Sequence, residues 1–170
     1  MSEIVNKVAQ SGIVTIDLEE LYPAGERVLF DISNLLVEGL LLREKDFREF
    51  ISTHDWSQYN GKQVALFCTT DAIIPRWAWM LLASALQPYA STVVFGNAET
   101  LETTLFESMI SRMDMEQYRD QRVVIKGCSH QPVPVQAYVM LTAKLQPYVK
   151  SILYGEPCST VPVYKRNKAV

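Results

Sequence analysis

Beyond residue 61, short apolar runs alternate with longer segments that have helical periodicity. The run QVALFC at 63–68 is almost continuously apolar, which is typical of a strand buried on both faces of a sheet. Further strands are predicted at 91–95, 122–126 and 151–154, and helices at 76–86, 98–113 and 133–146. This alternation predicts an α/β fold with a mostly parallel sheet and helices on both faces.

The first third of the chain has a less regular pattern. Alternating apolar and polar residues at 12–23 predict an edge strand, and 27–32 predicts another strand. The segment 34–56 is partly helical, since Phe47, Phe50 and Ile51 have the spacing of one helical face. We therefore expect a single domain over 1–170, with the following parts: an irregular α+β part at 1–60, a core at 61–155 and a C-terminal tail at 156–170.

The core contains an internal duplication. A shift of 59 residues aligns 59–96 with 118–155 without a gap, and ten of the thirty-eight paired positions are identical. Four identities are consecutive, in the tetrapeptide LQPY that starts at Leu86 and again at Leu145. Each copy is one β-α-β unit, and two such units suit the two halves of a doubly wound sheet.

Composition and charge narrow the class of protein. Apolar residues make up 48% of the chain and the net charge is −3, which argues against a nucleic-acid surface. The basic residues Lys165, Arg166 and Lys168 fall in the expected tail, where a frayed, solvated end explains them. The longest uncharged stretch, 77–98, is interrupted by a turn, so we expect no membrane span. The start of the chain lacks the pattern of a secretory signal and three cysteines are an odd number, so we expect reduced thiols and a cytoplasmic protein.

All three cysteines, Cys68, Cys128 and Cys158, fall at or just after the ends of predicted strands. Parallel strands end at one edge of a sheet, so these thiols are expected to share a rim. Asp71 and His130 occupy equivalent positions in the two copies, each in a loop that enters a helix.

These residues form a candidate metal site. Cys128, His130 and Cys158, with Asp71 or Cys68, would offer the thiolate, imidazole and carboxylate ligands that zinc or iron accepts. Two of these residues also have a structural interpretation. Cys68 can act as a small buried apolar residue, and Asp71 can cap a helix.

Two other functions remain open. Cys128 precedes a predicted helix and lies two residues before His130, which suits a thiol-dependent enzyme. Alternatively, the chain is an interaction module without chemistry that binds a partner through the rim and Trp77 or Trp79. No motif for nucleotide phosphates, zinc proteases or serine hydrolases is present. The residues decide neither the oligomeric state nor whether the protein is an enzyme.

Three stretches carry a family resemblance: DAIIPRWAWMLL, VVIKGC, and the segment from VPVQAYV to GEPCSTVPVYK. Over essentially the whole chain, the sequence resembles a bacterial family known as domain of unknown function 2480. Such proteins tend to be encoded beside iron–sulfur cluster assembly genes, so the resemblance implies an accessory role and a protein partner in that process. Asp71, Cys128 and Cys158 match the motifs of the family.

Overall fold

The strands form two sheets, where one sheet was expected. The computed structural model describes residues 12–127, 130–156 and 158–167. The chain divides into an inserted unit, Ala24–Leu105, and an outer unit made of Met1–Pro23 and Phe106–Val170. In chain order the strands are β1 (Ile13–Asp17), β2 (Arg27–Asp31), β3 (Gln63–Phe67), β4 (Thr92–Phe95), β5 (Arg122–Lys126), β6 (Ser151–Glu156) and β7 (Ser159–Lys165). The helices are α1 (Glu44–Thr53), α2 (Arg76–Leu86), α3 (Ala98–Arg112) and α4 (Val135–Leu145).

The α/β class and the largely parallel strands are confirmed. The inserted unit has the strand order β2-β3-β4, all parallel, and the outer unit has β1-β5-β6-β7. Among the pairs of described strands, β6–β7 alone is antiparallel. Each sheet therefore has its own parallel strands, and the two copies of the β-α-β unit belong to different sheets.

The core of the inserted unit surrounds β3. Val64 and Leu66 face α1 and α2, while Ala65 faces the first part of α3. This strand is buried on both faces, as its unbroken apolar run predicts. On α2, Ala78, Leu82 and Leu86 form a buried stripe with a spacing of four residues.

The outer unit repeats this arrangement around β5. Val123, Val124 and Ile125 are buried. On α4 the stripe is Ala137, Leu141 and Leu145, each 59 residues after its counterpart on α2. β5 and α4 likewise begin and end 59 residues after β3 and α2. The duplicated β-α-β unit is confirmed.

The repeated LQPY makes the same corner in both units. The backbone N–H of Gly61 donates to the carbonyl of Tyr89 at 2.9 Å, and that of Asp120 donates to the carbonyl of Tyr148 at 2.9 Å. Gly61 and Asp120 are equivalent positions, and both have a left-handed backbone, with φ of +71° and +58°. The tetrapeptide thus presents a carbonyl to the turn that starts the central strand.

The duplication also includes the first strand of each sheet, which lies outside the aligned segments. β1 runs beside β5 and β2 beside β3. Each ends in an aspartate followed by a fully buried aliphatic residue, Leu18 or Ile32. The N–H of Leu18 donates to the carbonyl of Lys126 at 2.9 Å, and that of Ile32 donates to the carbonyl of Phe67 at 3.0 Å. In the sequence, the inserted unit, Ala24–Leu105, therefore separates β1 from the other strands of the outer unit.

The C-terminal part is not the expected tail, because β7 pairs with β6 over residues 159–165. A proline such as Pro162 argues against a strand at this position. β7 is an edge strand, however, and the backbone groups on its outer edge need no hydrogen-bonding partner. Lys165 ends this strand, and the guanidinium of Arg166 pairs with Asp120. The interpretation of these two cations as a frayed end is wrong. Lys168 lies outside the described residues.

None of the helices that the structure describes is long and apolar enough to cross a membrane.

Replacing Leu82 or Leu141 by alanine should lower the free energy of unfolding by about 2–5 kcal/mol, because each substitution removes buried methyl groups and leaves a cavity. Met80→Ala is the control, since that side chain is 70% exposed on the same helix as Leu82. Urea unfolding with peptide-resolved hydrogen exchange measures the loss. A Met80→Ala effect equal to that of Leu82→Ala would contradict this account of the core.

Candidate functional site

At the end of β2, Asp31 connects two loops of the inserted unit. Its carboxylate accepts hydrogen bonds from the backbone N–H of Ser33 at 2.9 Å and of Thr69 at 3.1 Å. It also accepts from the hydroxyl of Ser33 at 2.9 Å and of Thr69 at 2.7 Å. The loop after β3 is therefore held against the turn after β2.

These hydrogen bonds keep Asp31 ionised. Partial burial raises the pKa of Asp31, but the hydrogen bonds from Ser33 and Thr69 outweigh it and hold the pKa below the ordinary value of 3.8. At neutral pH the site thus holds a carboxylate whose accepting oxygens are occupied by the protein itself, which favours a structural role.

Asp17 is the counterpart of Asp31 in the outer unit, and its carboxylate is paired with a lysine. One carboxylate oxygen of Asp17 accepts from the N–H of Glu19 at 2.9 Å, and the other lies 3.3 Å from the ammonium of Lys126. That ammonium is also 3.7 Å from the carboxylate of Glu156. The hydrogen bond to Asp17 and the charge of Glu156 raise the pKa of Lys126. One cation thus connects the carboxyl ends of β1, β5 and β6.

The loop after β5 begins with a glycine that nothing larger could replace. Gly127 has φ of +129°, and a Cβ there would lie 2.9 Å from the backbone nitrogen of Glu19 and 3.0 Å from that of Leu18. The hydroxyl of Tyr138 donates to the Gly127 carbonyl. Beyond the loop, the N–H of His130 donates to the carboxylate of Glu19 at 2.7 Å. Gly127 and His130 are therefore both held against the residues that follow β1.

The predicted metal ligands divide between the two units. His130 and Cys158 are exposed residues of the outer unit, and Cys158 is a free thiol in the turn between β6 and β7. Asp71 is exposed in the loop after β3 of the inserted unit. Cys128 lies outside the described residues. Among 12–127, 130–156 and 158–167, no three His, Cys, Asp or Glu side chains are grouped so that they could hold a metal ion. The metal site stays a prediction.

Cys68 directly follows β3 of the inserted unit, whereas Cys158 lies between β6 and β7 of the outer unit, so the three cysteines do not share the rim of a single sheet. Its half-buried side chain packs against the core around β3, and its sulfur lies 3.2 Å from the hydroxyl oxygen of Thr70. This environment agrees with the interpretation of Cys68 as a small apolar residue.

The capping interpretation of Asp71 is wrong. α2 begins at Arg76, five residues later, with Pro75 as its N-cap residue and no side-chain cap. The carboxylate that holds the loop is Asp31, which sequence reasoning missed together with Asp17 and Lys126. The signal was available: both IVTIDLE and RVLFDIS place an aspartate at the end of a strand, before an aliphatic residue.

The two tryptophans have separate environments on α2. Trp77 lies edge-on to Phe47, and Arg48 lies 5.8 Å from the centre of its ring. Trp79 lies edge-on to Phe95, with 4.9 Å between ring centres. Both are half-buried and pack against the core of the inserted unit, as expected for core residues.

An apolar groove in the outer unit was not predicted at all. It has a volume of about 440 Å³ and lies between α4 and the β6–β7 pair. Among the described residues, no charged side chain lines it; the lining consists of Ile125, Val133, Val135, Tyr138, Thr142, Ile152, Leu153, Tyr154 and Val163. This volume is within the range of ligand-binding pockets in proteins, and such pockets are lined mostly by apolar side chains.

Comparison with known proteins identifies a family but does not indicate an activity. The family model described as "Protein of unknown function (DUF2480)" matches residues 2–166. No curated protein and no solved structure matches the chain.

Asp31→Ala should lower the free energy of unfolding by about 1–2 kcal/mol at pH 7, since the N–H groups of Ser33 and Thr69 lose their acceptor. The folded-state pKa is depressed, so this contribution is complete above the ordinary carboxyl pKa and is lost as the pH falls through the folded-state value. Denaturant unfolding at pH 7 and below pH 4 should therefore show the gap between wild type and variant closing in acid.

Asp55→Ala is the matched control for this substitution. Asp55 accepts from the N–H and hydroxyl of Ser57 but holds no distant segment. Its replacement should cost less, and an Asp31→Ala effect no larger than that of Asp55→Ala would contradict the role assigned to Asp31.

Proposed function

This chain belongs to the DUF2480 family of proteins of unknown function, and we propose that it is a binding module that holds an apolar segment of a partner protein. The observation that carries this proposal is the groove between α4 and the β6–β7 pair of the outer unit. The groove favours the interaction module among the functions that the sequence left open.

The chemistry of the groove selects an apolar occupant. The polar side chains among its described lining residues are those of Thr142, Tyr138 and Tyr154, and the two tyrosine rings meet edge-on with 5.9 Å between their centres. A charged ligand would lose its hydration without gaining a counter-charge. Apolar side chains, in contrast, would gain about 25 cal/mol for each Å² that they remove from water.

The exposed surface around the groove favours a protein segment over a small molecule. Val135 and Val139 are 77% and 58% exposed on α4, and Val161 and Val163 are exposed on β7. Val139 lies one helical turn after the lining residue Val135, and Val161 pairs with the lining residue Tyr154, so both extend the apolar surface beyond the groove. An occupant that covers the whole patch must be longer than the groove, as a partner segment would be.

A photo-crosslinking residue, p-benzoylphenylalanine, tests the proposal when it replaces Val139. In living cells it should crosslink a partner protein, and adding Val163→Asp in the same chain should reduce the adduct at least tenfold, because a charge then lies in the groove. Leu40 is the matched control position, since it is an exposed apolar residue of the inserted unit. The proposal fails if position 139 gives no more adduct than position 40, or if Val163→Asp leaves the adduct unchanged.

A second candidate is a thiolate metal site in the outer unit, which would suit an accessory role in iron–sulfur cluster assembly. Its support comes from the strand ends: Lys126 and Glu156 end the adjacent parallel strands β5 and β6, with 3.7 Å between their charged atoms. Cys128 and Cys158 each follow two residues later in the sequence. His130 could add an imidazole ligand, and thiolates of this kind imply a reducing cytoplasm.

Metal analysis of the chain, purified without an affinity tag, tests this second candidate. We expect one zinc or iron ion per chain, lost in both Cys128→Ser and Cys158→Ser because each removes a thiolate ligand. Cys68→Ser is the control and should keep the metal, since Cys68 packs against the other sheet. An equal loss in all three variants, or no metal in the wild type, would count against the site.

A further inference from the structure

The two sheets differ at one edge. In the outer unit, the edge of β6 that faces away from β5 is covered by β7. In the inserted unit, the equivalent strand is β4, which is the last strand of its sheet. Within the described part of the chain, a position that a strand fills in one copy of the duplicated unit has no strand in the other.

The surroundings of this position are alike in both copies. In the outer unit, Tyr138 on the helix meets Tyr154 on the strand edge-on, at an interplanar angle of 80°. In the inserted unit, Trp79 and Phe95 occupy the equivalent positions and meet at 69°. Phe95 is 67% exposed, whereas Tyr154, beside β7, is 37% exposed. The open copy therefore presents an aromatic pair with more apolar surface in water.

β4 also lacks the features that usually protect an edge strand. Charged residues and proline discourage edge pairing with other chains. Each of the other described edge strands has at least one: Asp17 in β1, Arg27 and Asp31 in β2, and Pro162 and Lys165 in β7. The sequence of β4, TVVF, has neither, and only its shortness limits pairing.

We propose that the free edge of β4 binds an extended segment of a partner protein, antiparallel to β4, in the place that β7 takes on β6. The pairing of β6 with β7 provides the template: Tyr154 pairs with Val161 and Leu153 with Pro162, so Phe95 and Val94 would pair with the corresponding partner residues. Backbone hydrogen bonds would supply the attachment, and β-branched side chains would cover the aromatic pair.

β7 of a second copy is the less favourable occupant. It would have to leave β6, to which it is paired over residues 151–156, and it would expose that edge in turn. A segment of another protein needs no such rearrangement. Self-association would therefore count against the proposed occupant.

A fluorescent peptide with the sequence STVPVYK, copied from β7, tests the proposal on the intact chain. Binding should saturate in fluorescence anisotropy, and hydrogen exchange should slow at 92–96. Phe95→Lys should weaken binding at least tenfold, since it places a charge on the exposed end of β4. Leu29→Lys is the matched control on β2, the other edge strand of the same sheet, and should leave the affinity unchanged.

A second peptide, N-methylated at every amide except that of proline, keeps the side chains but loses its backbone donors, so it should not bind. The proposal is overturned if the first peptide does not bind up to its solubility limit, if Phe95→Lys binds it normally, or if protection appears at β6 instead of β4. Protein that dimerises with increasing concentration and then excludes the peptide would also overturn it. Phe95 and Leu29 both lie in the inserted unit, so the outcome of these two substitutions is independent of the crosslinking at position 139.

Discussion

Burial of one central strand on both faces is the constraint on which each unit depends. The side chains of β3 and β5 are buried in both directions, so water cannot reach their backbones. Each central strand must therefore find a hydrogen-bonding neighbour on both sides, which it does in β2 and β4 or in β1 and β6. The parallel direction then requires a crossover helix, which both copies supply with the same apolar stripe.

The carboxyl end of the central strand has different neighbours in the two copies. Phe67 and Lys126 are equivalent residues, one ending β3 and the other ending β5. In the outer unit the ammonium of Lys126 lies beside Asp17, whereas in the inserted unit Asp31 accepts from the loop that contains Thr69. Both copies of the unit thus keep the aspartate at the end of the first strand. The group that binds this carboxylate differs between the copies, and so do the loops that follow.

Parts of this molecule follow from local patterns. Pro75 and Pro134 immediately precede α2 and α4, and the spacing of the buried residues on these helices defines the faces that pack, so both helices were predicted nearly to their ends. The strand β7 was not predicted, because a proline in a short strand is compatible only with an edge position. Asp31 was missed for a similar reason, since one of its two partners, Thr69, is far away in the sequence.

The sequence by itself determined most of the elements, their order and the internal repeat, because apolar periodicity and turn residues act within a few positions of the chain. Only the tertiary structure decided which strands share a sheet, because pairing joins residues as distant as Ile13 and Arg122. The same holds for the groove beside α4, which requires β7 to pair with β6, and for the edge of β4, which none of the described strands covers. Both surfaces arise from long-range pairing, and a local pattern contains no information about it.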